Sequence, residues 1–485
     1  MKNLIKTLSI IHLIRERLKM SIRFDEHFLK GALSQVTFIA KNFPKDVSFS
    51  IDSRTLKKGD IFIAVEGAYF DSHTVITSAL QSGASGIFLN ESKKEILDTI
   101  DAKLLKNKLI VLVENTVDAL IAMATAWRAQ FDYPVVAITG SVGKTSTKEM
   151  ISNILTADKI KHIASFSNQN TKIGLSLNVL KMKEDLQAAV FEVGISRRGD
   201  MSRLIDILKP TISLITSVGH SHMEGLGSLS DIAAEKREIF KYFTNESIGI
   251  INGDLPILSD VGYDHPVIRF GCKTTNQIQA RKINIGNGVV DFIIKIYHNK
   301  YKVRLDGTHS GMVYNALAAA SIGYLLGVSD EHVVKGIEIP VRMPSRFEKR
   351  SLSGGKGVLI NDCYNASPES MKAALLAIEQ IDTDAKKIAV LGDMLELGVN
   401  SPFWHRQLGR ILRKTPSLRH IILVGQMVSW TKKTVPIGVT VEHVESWDIA
   451  VKKLNSMMDK KNESLVLVKG SNSMNLIKLV DHFTS

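Results

Sequence analysis

The run Ala137-Ile138-Thr139-Gly140-Ser141-Val142-Gly143-Lys144-Thr145-Ser146 joins an apolar segment to a glycine-rich turn and a lysine. Residues of these types in this order make a phosphate cradle. Backbone N–H groups at the start of a helix face an anion, and Lys144 adds a positive charge. A hydroxyl on Thr145 or Ser146 is placed to reach Mg²⁺. The gap is shorter than in the common G-x-x-x-x-G-K loop, since only Ser141 and Val142 separate Gly140 from Gly143. Residues Gly140 to Ser146 therefore read as an ATP or GTP site. Further along, "FEVGISRRGDM" puts Glu192 at the end of an apolar run, and "TSVGHSHMEGLGS" brings His220, His222 and Glu224 to the end of the next. A carboxylate and an imidazole converging on a phosphate suggest Mg²⁺ or Mn²⁺. Alone, His222 would be a loop or helix-cap residue and Lys236 of "DIAAEKREIF" a solvated one. Asn315 opens a small-residue helix, Arg346 lies in "PSRFEK", and Asp362 ends an apolar run where a carboxylate can take ribose hydroxyls.

These residues need elements to hold them. Val135–Thr139 has the composition of a buried strand, and Met150, Ile151, Ile154 and Leu155 form a helical apolar stripe after the loop. Three blocks follow from the pattern: α/β residues 21–130 after an N-terminal extension 1–20, a central doubly wound block 131–340 beginning at the phosphate loop, and an α/β block 341–485. In doubly wound sheets ligands collect at the carboxyl ends of the strands, so Lys144, Glu192 and His222 are expected on one edge.

A chain of 485 residues suits about three domains of 100–200 residues. Two cysteines, Cys272 and Cys363, make no disulfide framework and fit the cytoplasm. The net charge of +13 comes without a run of like charges or a basic patch interleaved with aromatics. Nucleic-acid binding is therefore not expected, and an anionic small substrate is. The leader "MKNLIKTLSIIHLIRERLKM" is basic and amphipathic but too short and interrupted to span a bilayer, and no cleavage site follows it. It reads as a surface helix or as sequence upstream of a start at Met20, with no stable membrane insertion.

In order along the chain, "IDSRTLKKGDIFIAVEGAYFDSH", "TGSVGKTSTKEM", "NQNTKIGLSLNVL", "GHSHMEGLGS", "EKREIF", "NDCYNASPESM", "LGDMLELG", "HRQLG" and "LVKGS" resemble the signatures of the Mur ligases. The resemblance covers nearly everything after residue 21. It implies a central P-loop ATPase domain flanked by an N-terminal UDP-binding domain and a C-terminal Rossmann-like domain that takes the incoming dipeptide. It also implies a monomer that forms an amide bond by phosphorylating a carboxylate with ATP. "LGDMLELG" and "YNASP" point to the branch that adds D-alanyl-D-alanine to UDP-N-acetylmuramoyl-tripeptide. Carried over residue by residue, Lys144, Glu192, His222 and Lys236 are catalytic, and Thr145, Glu192, His222 and a carbamylated Lys236 hold Mg²⁺. Asn315, Arg346 and Asp362 contact adenine, phosphate and ribose, and Ser53 and Arg54 contact UDP. The chain departs from the family pattern at Thr171, Gly311, Ser345, Asn361 and Asn472. The competing expectations are another Mur-type or folylpolyglutamate-type amide ligase, or a nucleotide-binding homologue that has lost catalysis.

Overall fold

In the computed structural model residues 23–484 are described, except 68, 167–168, 287, 308, 356 and 459–462. The leader 1–20 lies outside them. Three sheets organise the chain. The first has five strands in the order Thr37–Lys41, Leu109–Val113, Gly86–Asn90, Ile61–Ile63 and Phe49–Ser50. All but Thr37–Lys41 run parallel, so the segment after Phe49–Ser50, which carries Ser53 and Arg54, leaves from the carboxyl edge.

The central sheet has nine strands. Its parallel part runs Val267–Gly271, Ile248–Asn252, Ile212–Ile215, Val135–Thr139, Ala188–Glu192 and His162–Ala164. Val135–Thr139 is buried throughout because strands flank it and helices cover both faces. Ile138 pairs with Glu192 and Thr139 with Ile215. That register puts the phosphate loop, Glu192 and the start of the histidine segment side by side. The stripe Met150, Ile151, Ile154 and Leu155 is buried as its spacing predicts.

One part of this block differs from the doubly wound expectation. Ile278–Gly286, Val289–Ile296 and Asn299–Asp306 form an antiparallel meander at the sheet's far edge. Val289–Ile296 alternates half-buried and buried residues, with Val290, Phe292, Ile294 and Ile296 turned inward. Such alternation is the signature of a strand with one covered face.

The last sheet has six strands in the order Glu348–Ser351, Gly357–Asn361, Ser464–Lys469, Lys386–Gly392, His420–Val424 and Thr440–Val444. Only the edge strand Glu348–Ser351 is antiparallel. Among the described residues no helix is long and apolar enough to cross a membrane.

Candidate active site at the junction of the central and last sheets

The phosphate loop turns on Gly143, which caps the helix Lys144–Ala157 in the left-handed region at φ 89°. A side chain is excluded twice over there, because a β-carbon would stand 2.4 Å from Asn315 Oδ1. The close approach brings Asn315 to the loop, where its Oδ1 also accepts a weak bond from the Thr147 hydroxyl at 3.4 Å. Lys144 curls back so that Nζ donates to the Gly140 carbonyl at 2.7 Å. Withdrawal from water lowers its pKa; Glu192 opposes that shift and Arg346 adds to it.

Glu192 is only 1% exposed, and each of its carboxylate oxygens accepts one hydrogen bond. Oε2 accepts from the Thr145 hydroxyl at 2.7 Å and Oε1 from Asn170 Nδ2 at 2.9 Å. Its backbone N–H donates to Ser165 Oγ, fixing the strand end. Arg346 reaches across from the last block, donating to Thr145 Oγ1 at 3.1 Å with its guanidinium 3.8 Å from the centre of the Tyr364 ring. Ser345 and Phe347 on either side of it occupy the left-handed region, at φ 58° and 52°. Bonds from Ser345 N to Glu348 and from Phe347 N to Asp362 Oδ1 hold that disfavoured backbone in place. Asp362 Oδ2 pairs with the buried Lys469 at 2.8 Å.

Lys236 is 3% exposed, and among the described residues no carboxylate lies within ion-pairing distance of it. Glu235, next in sequence, instead accepts from the N–H groups of Gly199 and Met201 at the start of another helix. Burial first, and then the charge of Lys144, drive the Lys236 pKa well below that of an ordinary lysine. Burial of this kind favours the neutral amine over the ammonium.

His222 is turned toward the last block, where its Nδ1 meets the Glu396 carboxylate. With Nδ1 turned to that carboxylate, Nε2 is the ring nitrogen that would serve a metal. His220 lies between Glu369 and Trp404. In the first block Arg54 forms a forked pair with Asp52, its Nε at 2.9 Å and Nη2 at 2.7 Å, and remains largely exposed.

The structure thus brings together Lys144, Thr145, Glu192, Asn315 and Arg346. Lys236 sits within Coulomb range of Lys144, His222 is drawn toward Glu396, and Ser53 and Arg54 lie apart on the first sheet. No group of three or more His, Cys, Asp or Glu side chains is gathered as a metal cage among the described residues. Among the described residues, the Thr145 hydroxyl and the Glu192 carboxylate lie together as oxygen donors that would suit Mg²⁺. The residue reading passed over Asn170, Lys469 and Glu396. All three lie in segments that carry the family resemblance, but their partners are remote in sequence.

The Mur ligase middle domain matches residues 138–323, and the Mur ligase, glutamate ligase domain matches residues 345–472. The UDP-N-acetylmuramoyl-tripeptide–D-alanyl-D-alanine ligase of Bacillus subtilis is 30% identical over 88% of this chain and 91% of its own. A MurF crystal structure from Acinetobacter baumannii superposes with a TM-score of 0.81 at 26% identity, covering 95% of this chain and 99% of that one. The MurF ligase of Thermotoga maritima in complex with ADP superposes at 0.73 with 27% identity, over 90% and 97% of the two chains.

Proposed function

The chain belongs to the Mur ligase family, and from that membership we propose that it joins D-alanyl-D-alanine to UDP-N-acetylmuramoyl-tripeptide with ATP as the energy source. The observation that carries this reading is the group Lys144–Thr145–Glu192, closed by Arg346 from the last block.

A carboxylate is a poor acyl donor because expelling its oxygen would require oxide, or hydroxide from the acid, as the leaving group. Transfer of the γ-phosphoryl group to the tripeptide carboxylate releases ADP and gives an acyl phosphate. The amine of the dipeptide adds to that carbonyl, the tetrahedral adduct collapses, and inorganic phosphate and a proton leave. Lys144, Arg346 and the N–H groups at the start of the helix Lys144–Ala157 offset charge that builds on the phosphoryl oxygens. Thr145 and Glu192 would hold one Mg²⁺, with His222 Nε2 serving a second; the ion supplies charge neutralisation at the phosphates. Asn315 and Asp362 address adenine and ribose, Asp362 keeping spare lone pairs beside its bond to Lys469. Ser53 and Arg54 bind the UDP moiety.

Residues 21–130, 131–340 and 341–485 take the nucleotide sugar, ATP and dipeptide respectively. The protein acts as a cytoplasmic monomer, which suits its two free cysteines.

Lys236 gives the decisive experiment. A lysine whose burial favours the neutral amine, with no carboxylate in ion-pairing distance among the described residues, is suited to addition of CO₂, and the resulting carbamate presents two oxygens and a negative charge. Lys236→Ala is expected to stop ADP release in the presence of both substrates, and acetate or formate to restore part of it. Full activity in the alanine variant would exclude the carbamate. Failure of the unmodified chain to release ADP with UDP-N-acetylmuramoyl-tripeptide and D-alanyl-D-alanine would favour the non-catalytic alternative.

A further inference from the structure

The segment Gly219–His220 links the phosphate loop to the last block by an unbroken chain of hydrogen bonds. On the loop side, Ser141 Oγ donates to the Gly219 carbonyl at 3.0 Å and accepts from the Gly219 N–H at 2.9 Å. On the other side, Glu369 is the second residue of the helix Pro368–Gln380 of the last block. Its Oε1 accepts from the His220 N–H at 3.0 Å and meets His220 Nδ1 at 2.7 Å. The approach depends on Gly219, since a β-carbon there would stand 2.8 Å from the Glu369 carboxyl carbon. Trp404 closes the arrangement, its ring centre 4.2 Å from that of His220. Glu369 Oε2 is buried with no partner, so among the described residues this carboxylate is committed to His220.

We propose that Glu369 is a positioning residue for the phosphate loop: it holds His220 and Gly219, which hold Ser141, and so couples nucleotide binding to docking of the last block. The inference rests on the nucleotide reading of the loop. Coupling through a shared element is reciprocal, so a nucleotide that orders Ser141 also favours the docked last block.

The test is titration of ADP with MgCl₂ into the full chain, alongside the KM for UDP-N-acetylmuramoyl-tripeptide. ADP binding by the unmodified chain tests the nucleotide reading; the ratio of variant to unmodified affinity tests this proposal. Glu369→Ala and His220→Ala are each expected to weaken ADP about tenfold, within the usual range of coupling between sites. The double variant should be no worse than either single one, and the KM for the UDP substrate should stay unchanged. Glu369→Gln keeps an acceptor oxygen and should recover most of the affinity. Unchanged ADP affinity in a folded Glu369→Ala chain would overturn the proposal, as would equal losses for ADP and the UDP substrate.

Discussion

The central sheet meets its two neighbours through seams of opposite character. Toward the first sheet the seam is apolar. One continuous core runs from Phe24 to Leu258, taking in Leu120, Met123 and Phe131 on one side and Leu175, Leu204 and Ile205 on the other. Trp127 lies edge-on to Phe28 and Phe131, and its indole N–H donates to the Met182 carbonyl at 3.1 Å. Arg128 donates to the carbonyls of Leu208 and Lys209 at the end of a central-block helix. Toward the last sheet the contacts are polar: Arg346 to Thr145, His220 to Glu369 and His222 to Glu396, with Met223 a modest apolar addition. The last block keeps its own core clusters. Parting the first seam would expose a shared core, whereas parting the second exchanges hydrogen bonds for water at small net cost. The residues proposed to meet the nucleotide sit on this polar seam.

The largest effect should come from cutting into the apolar seam. Phe131 is 5% exposed, and Phe131→Ala should cost about 3–5 kcal/mol in urea unfolding. The first and central blocks should lose stability together. Separate transitions for them would show that the seam is not a common core.

Lys144→Ala tests the other seam. It should cut kcat by about 10²–10³-fold, the scale of losing one charge-stabilising group, while leaving the unfolding midpoint almost unmoved. Near-normal turnover measured by ADP release would remove the phosphate-loop assignment.

A smaller effect concerns pH. His309, His405 and His420, the histidines whose pKa burial pushes down, all lie at or beyond the polar seam. His405 is wholly buried and neutral, with Nδ1 donating to the Ser401 carbonyl and Nε2 accepting from Met394 N. Below the ordinary histidine pKa of about 6.5 the unfolded chain binds protons that the folded chain refuses. Stability is thus full above that pH and falls as pH drops, by at most about 1.4 kcal/mol per pH unit for the fully buried His405 and by less for the more exposed His420. Urea midpoints between pH 8 and 5 should decline for the last block first, and His405→Gln should flatten that slope. A decline confined to the first block would contradict the assignment.

The smallest change is expected at Arg54, which is exposed and belongs to the first block. Arg54→Ala should raise the KM for the UDP-tripeptide a few-fold and leave kcat alone, as loss of uniform binding does. A shift in the ATP constant alone would move the UDP site off the first sheet.

Much of this was legible from contiguous residues. The phosphate loop could be read because glycine conformational freedom and helix-terminus chemistry act over a few neighbouring positions. The runs Val135-Val136-Ala137-Ile138 and Ile421-Ile422-Leu423-Val424 could be read because strands buried on both faces carry near-continuous apolar residues. The meander Ile278–Asp306 escaped because its exposed face carries Lys282, Lys295, Lys300 and Lys302, which dilute the hydrophobic signal.

The sequence by itself determined the family, through motifs in a fixed order, and offered a strand, glycine turn and helix of the type that meets phosphate. Only the tertiary structure decided what those residues touch. His220 and Glu369 are 149 positions apart, and Arg346 and Thr145 are 201 apart. The lowered pKa of Lys236 comes first from its burial and then from Lys144 lying nearby. Burial and partnership of this kind are set by how separate elements dock, which no local pattern encodes.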